Sequence, residues 1–134
     1  MPMNRRSVLA AMLGAWVAAA LAPRRAPALA IDHPGSDLAR TLVATLRRPD
    51  SAAAVGRAYL ARYPAEAPPA RLVAGIVDGW ERDGFDAARA GRGALRRRLG
   101  EQVRRDFARG RVVSVDGWVL AESEARLFAL AAVL

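Results

Sequence analysis

Apolar residues recur along this chain at helical spacing in several stretches and gather at strand spacing in one. Leu38, Leu42, Thr45 and Leu46 share one side of a predicted helix over 37–48, capped by Ser36 or Asp37 and closed by Pro49. Asp50 and Ser51 offer the cap of a second helix over 51–63, with Ala54, Val55, Ala58, Tyr59 and Arg62 on one side and Pro64 as its stop. Gly56 costs helix stability there, but it would let a neighbouring helix come close. Pro68 and Pro69 suit the opening turn of a third helix, in which Leu72, Val73, Ile76, Val77 and Trp80 form a stripe running to Arg82. This stripe is the best core candidate. Asp83 and Gly84 break the pattern, and residues 85–92 are either irregular or the start of the next helix. That helix is expected over 93–109, with Leu95, Leu99, Val103 and Phe107 at four-residue steps and Gly110 as its C-terminal stop.

The strand signal follows directly. Val112 to Val115 and Trp118 to Leu120 are β-favouring runs joined by Asp116-Gly117, the dipeptide best suited to a tight hairpin turn. An isolated hairpin is marginal in water, so this one must lie against helices. From Glu122 the pattern is helical again, with Leu127, Leu130, Ala131 and Leu134 on one side and Phe128 and Ala132 beside them. The expected fold is therefore mainly α: a small bundle of about five helices with one short hairpin over 111–121 before the C-terminal helix. Residues 37–134 make one small domain without internal repeats. Ile31 to Ser36 read as a flexible leader, because Pro34 and Gly35 disfavour regular structure.

The N-terminal thirty residues follow another logic. A basic start at Arg5-Arg6, an uncharged apolar run from Val8 to Ala22, and small residues at Ala28 and Ala30 have the layout of a secretory signal peptide cut after Ala30. Ala26-Pro27-Ala28 is an alternative cut, whereas Ala20-Leu21-Ala22 is disfavoured by Pro23 behind it. The apolar run falls short of the ~20 residues a membrane-spanning helix needs, so no stable span is expected after cleavage. Arg5, Arg6, Val8 and Leu9 resemble the core of a twin-arginine signal, with Asn4 in place of the hydroxyl residue and Val8 in place of Phe. The Ala- and Gly-rich apolar run and Arg24-Arg25 ahead of the cut are similar to the features that keep such peptides out of the general secretion channel. The resemblance covers residues 1–30 only. It implies a bacterial protein handed folded to the twin-arginine translocase, and a periplasmic or secreted location.

Charge and chemistry narrow the function. All 21 basic residues are Arg; four belong to the leader, which leaves 17 against 13 acidic residues. That modest excess, in an exported chain, argues against nucleic acid as a partner. Cysteine is absent, so packing alone must hold the fold in an oxidising compartment. Beyond residue 30 there is no Cys, Lys or Asn, and the chain has one His, two Thr, two Tyr and four Ser. No nucleophile elbow or phosphate cradle is present, which points away from an enzyme. Asp78, Glu81, Asp83 and Asp86 form an acidic group near Trp80 that reads as the solvated end of a helix, with cation binding or acid–base work as the sharper alternative. After cleavage at Ala30 the chain would begin Ile31-Asp32-His33, whose free amine, amide nitrogens and imidazole can enclose Cu(II) or Ni(II) in a square plane.

Nine arginines crowd between Arg89 and Arg111 against Glu101 and Asp106. Arg96, Arg97 and Arg98, with Arg104 and Arg105 further along, read as a solvated face or as a docking surface for acidic protein or anionic head groups. Leu127, Leu130 and Leu134 at the uncharged C-terminus are the matching apolar contacts. Trp80, Trp118, Phe85, Phe107 and Phe128 are expected in the core. Together these features suggest an exported, non-catalytic small subunit accompanying a larger partner. In outline the chain is similar to the small subunits of exported dehydrogenases, which implies a large oxidoreductase as that partner. The rival is a stand-alone periplasmic binding or structural protein.

Overall fold

The computed structural model describes residues 34–134. Within them, five α-helices and a two-stranded antiparallel hairpin enclose one core, and the hairpin precedes the last helix as its sequence predicts. The export signal at Arg5, Arg6, Val8 and Leu9, the cut at Ala28 and Ala30, and the Ile31-Asp32-His33 chelate lie outside the described residues.

Helix α1 (Pro34–Val43) starts earlier than its caps suggest and stops sooner. Pro34 is no obstacle in a first turn, where its missing N–H would have no partner anyway, so Pro34 to Ser36 are helical rather than part of a flexible leader. At the other end the Thr45 hydroxyl donates to the Leu42 carbonyl at 2.6 Å, competing with the continuing ladder. Arg96 then takes the Thr45 carbonyl at 3.2 Å. Helix α2 (Pro49–Arg62) leads through a short 3-10 turn (Pro64–Glu66) to α3 (Pro69–Val77).

The third helix ends five residues short of the sequence expectation. Asp78 turns extended, and a tight turn closed by Trp80 N–H on the Val77 carbonyl brings Trp80 back into the core. A single helical turn follows and is closed by a Schellman motif: Phe85 N–H bonds to Trp80 O at 2.9 Å and Gly84 N–H to Glu81 O at 2.9 Å. Gly84 supplies the left-handed residue at φ +78, a conformation that costs any side chain. The hydrophobic contact that accompanies such motifs is the edge-to-face pair of Trp80 and Phe85, with ring centroids 5.5 Å apart.

Helix α4 (Arg92–Ala108) ends in the same device at Gly110, and the chain returns through β1 (Val112–Val115) and β2 (Trp118–Ala121). Val115 pairs with Trp118 across Asp116 and Gly117, both at positive φ, the backbone of a type I′ turn. Helix α5 (Glu122–Val133) contacts every other helix and both strands, and α2 most extensively.

That pairing depends on small residues. Ala52, Gly56 and Tyr59 form the buried side of α2, while Ala54 and Arg62 of the expected stripe face solvent. A Cβ on Gly56 would penetrate the Phe128 carbonyl and the Ala129 nitrogen of α5. The close approach expected of Gly56 is thus present. Around it, Leu42, Leu72, Ile76, Trp80, Leu95 and Leu130 are the largest fully buried side chains. Two aromatics depart from the core expectation: Phe107 is 47% exposed and Trp118 66%. Phe85 and Phe128 are half-buried against the core.

A four-residue step overshoots one helical turn by about 40°, so the stripe read from Leu95 to Phe107 precesses about 120° around α4 and leaves the core. The side that stays inward is Leu95, Arg98, Leu99, Gln102 and Asp106, polar over its second half.

Gly56→Ala should destabilise the fold by about 3 kcal/mol, because α2 and α5 must separate. Gly100→Ala, whose added methyl would meet only the Arg104 guanidinium, should stabilise it by up to about 1 kcal/mol. Urea titration of both variants beside the parent measures the contrast.

Candidate functional site

The polar half of α4 builds a connected buried network. Trp80 Nε1 donates to Gln102 Oε1 at 3.3 Å, and Gln102 Nε2 donates to Asp106 Oδ1 at 2.9 Å. Asp106, only 3% exposed, accepts on Oδ2 from the backbone N–H of Ser123 at 3.0 Å and from its hydroxyl at 2.6 Å. Ser123 is the second residue of α5, and Ala121 at that helix's N-cap position has no side-chain oxygen. Asp106 therefore serves as a cap delivered from another helix, and its charge suits the positive end of the helix dipole.

One turn earlier on α4, Arg98 is folded inward. Its guanidinium donates to Asp83, lies 3.6 Å from a Glu101 oxygen, and stacks over Trp80 and Phe85 at 5.6 and 5.7 Å. Arg105 reaches the same Asp83 oxygen at 3.3 Å. Hydrogen bonding from Arg98 above all holds the Asp83 carboxyl below the usual carboxylate range. The expected acidic group is thus dispersed into ion pairs: Asp83 with Arg98 and Arg105, Asp78 with Arg82 at 3.7 Å, and Asp86 with Arg89 at 3.6 Å. Among the described residues no group of three His, Cys, Asp or Glu side chains could hold a metal ion. None of the described helices is long and apolar enough to cross a membrane.

A third cluster ties α2 to α5. The Tyr59 hydroxyl donates to Glu66 Oε2 at 2.6 Å, and Arg126 brings Nε and a terminal nitrogen to the two Glu66 oxygens at 3.2 and 3.4 Å. Burial, reinforced by the Glu66 carboxylate, pushes the Tyr59 phenol well above its ordinary value. Burial also works against ionised Glu66, but the hydrogen bonds from Arg126 and Tyr59 outweigh it and leave its pKa lowered. The Arg126 stem lies across Gly75 of α3, where a side chain would collide with it.

The docking residues read from the sequence divide sharply. Arg97 and Arg104 are exposed on the side of α4 opposite the core and have no acceptor among the described residues, as have Arg92, Arg109 and Arg111. Leu134 is exposed as well. Arg98 does not belong to that surface because it stacks inside, and Arg96 and Arg105 are engaged at Thr45 and Asp83. Leu127 and Leu130 are buried in the core, so they present nothing to a partner. Helical spacing placed Leu134 with them, but α5 ends at Val133.

Two cavities flank these elements. One, of about 360 Å³, is polar and holds Arg82, Arg105, Arg109 and Arg111 against Asp78 and Asp83. The other, of about 500 Å³, is apolar and lies between the α1–α2 connection, α2, β2 and α5. Sequence reading missed both, since each assembles residues from distant segments. It missed Gln102, Asp106, Glu66 and Arg126 for a simpler reason: a single polar residue within an amphipathic pattern looks like surface. The one available signal was the helical register of Gln102 and Asp106 with Leu95 and of Arg126 with Leu130; Glu66, in the 3-10 turn, offered none. Compared with protein-family models, curated proteins and solved structures, the chain matches none of them.

Asp106→Ala should cost about 2–3 kcal/mol, since it strands the Ser123 donors and the Gln102 amide, and Asp106→Asn should cost less. Glu66 adds a pH dependence. A carboxyl whose folded pKa is lowered stabilises fully above its unfolded pKa, and that contribution is lost as pH falls through the folded value. Glu66→Gln should therefore be less stable at neutral pH and lose less than the parent on acidification. Urea titrations from about pH 7 to about pH 3 compare the two.

Proposed function

We propose that this protein is an exported, non-catalytic accessory chain that docks on a larger partner with an acidic surface, in the periplasm or outside the cell. The twin-arginine-like leader supports export in the folded state and, with it, the translocase as a transient partner. A large exported oxidoreductase is the partner class that this outline suits.

The observation that carries the docking reading is the outward pair of guanidinium groups on α4, Arg97 and Arg104. They have no acceptor among the described residues, although carboxylates are available on the same domain. Guanidinium forks match carboxylates in pairs, and such a face steers association with an acidic surface. The buried carboxylates favour a structural role in turn. Asp106 and Glu66 each spend both oxygens on internal donors, which leaves neither oriented as a base toward a substrate.

Arg97 and Arg104 face away from the core, so Arg97→Glu/Arg104→Glu should leave thermal stability nearly unchanged while releasing the partner. Affinity capture of the natively expressed, tagged protein from its own host is expected to recover a stoichiometric larger protein with the parent and little with the variant. Recovery of the parent alone and monomeric would overturn the proposal.

A further inference from the structure

The apolar cavity has Arg47, Arg48, Ser51 and Glu124 as the polar members of its lining. Its walls are formed by Ala52 and Val55 of α2, Leu120 of β2 and Phe128 of α5, with Leu46 from the α1–α2 connection. Leu46, Val55 and Phe128 are only partly buried against the core, so their remaining apolar surface faces the cavity. Trp118 stands at the lip, two-thirds exposed in the first position of β2 after the turn. Arg47 and Arg48 meet the cavity from the connection, both exposed and without an acceptor among the described residues. The single carboxyl in the wall, Glu124, sits in the first turn of α5, where burial raises its pKa and the Ala121 N–H only partly offsets that. Two guanidinium groups against one carboxyl leave the lining with a net positive charge.

The volume, about 500 Å³, falls within the range of small-ligand sites. A hydrocarbon chain laid against these walls would take apolar surface of both partners out of water. We propose that this cavity binds a soluble single-chain amphiphile with an anionic head, of the fatty-acid class, its tail against Val55, Leu120, Phe128 and Trp118 and its carboxylate on Arg47 and Arg48. The charge pattern selects this occupant: a carboxylate gains charge-assisted hydrogen bonds from two exposed guanidinium groups that a neutral chain would leave to water, and a cationic one would be repelled by them. The site is separate from the outward arginines of α4, so it stands or falls independently of the docking reading.

Laurate below its micellar concentration is the probe, titrated into the full chain by calorimetry and by tryptophan emission. Saturable one-to-one binding is expected, with a blue shift of emission that Trp118→Phe removes while the heat signal persists. Arg47→Gln/Arg48→Gln, at two exposed positions where folding is undisturbed, should weaken laurate about tenfold or more and leave decanol unchanged. Binding of decanol or dodecyltrimethylammonium as tight as that of laurate overturns the proposal, as does an unaltered laurate affinity in the double variant or the absence of saturable binding. Sedimentation with phosphatidylglycerol vesicles without any binding of free laurate would assign the arginines to a membrane surface, and would overturn it equally.

Discussion

The N-terminus of α5 is held by a carboxylate that belongs to α4, and the body of the protein is arranged around that bond. Helix α5 touches all the other helices and both strands, so its position fixes theirs. Its own first residues supply no N-cap oxygen; Asp106 supplies one, in a buried place where leaving the donors unmet would cost the full desolvation penalty. The hairpin between α4 and α5 is short enough to keep the two helices in this register, with Arg111 N–H bonded back to the Asp106 carbonyl and Glu122 N–H to the Arg111 carbonyl. One aspartate thus closes a loop of backbone and side-chain bonds at both ends of the hairpin.

Arginine does two jobs in this molecule, and burial separates them. Arg98 and Arg126 are drawn inward, each with a carboxylate partner and an extended contact for its stem or plane: the Trp80 and Phe85 rings for one, Gly75 for the other. A guanidinium tolerates such places because it is flat and weakly hydrated. Arg97 and Arg104 keep their hydration and point away. With no lysine in the chain, composition alone cannot distinguish the two groups. Geometry does.

That division explains how far the sequence could be read. The hairpin was legible because Asp116-Gly117 is a local instruction, and α3 was legible through Leu72, Val73 and Ile76 because apolar spacing and burial agree there. Gly56 gave its meaning away by being a helix-weakening residue with no local reason to be present. Helix α4 was recognised, but its inward side was misjudged, since Arg98, Gln102 and Asp106 point to the core where the pattern supplies Val103 and Phe107 at a drifting step. The ends of α1 and α3 shifted because a threonine hydroxyl and a tight turn, not propensity, stop them. Leu127 and Leu130 looked like a free apolar edge only because the pattern carries no information on what lies opposite. The two cavities were beyond reach, as one depends on how α2, β2 and α5 meet and the other on how the turn after α3 meets α4.

The placement of α5 has a consequence for how the chain acquires its structure. Synthesis delivers the elements in order, and α2, α3 and α4 are all made before the surface that buries them exists. Until Leu130 and its neighbours have left the ribosome, Ala52, Gly56 and Asp106 lack the surface that covers them, and only the helix contacts of α1 with α3 and α4 are open to the nascent chain. The core is therefore completed only once the last of these segments is free to swing into place between the others.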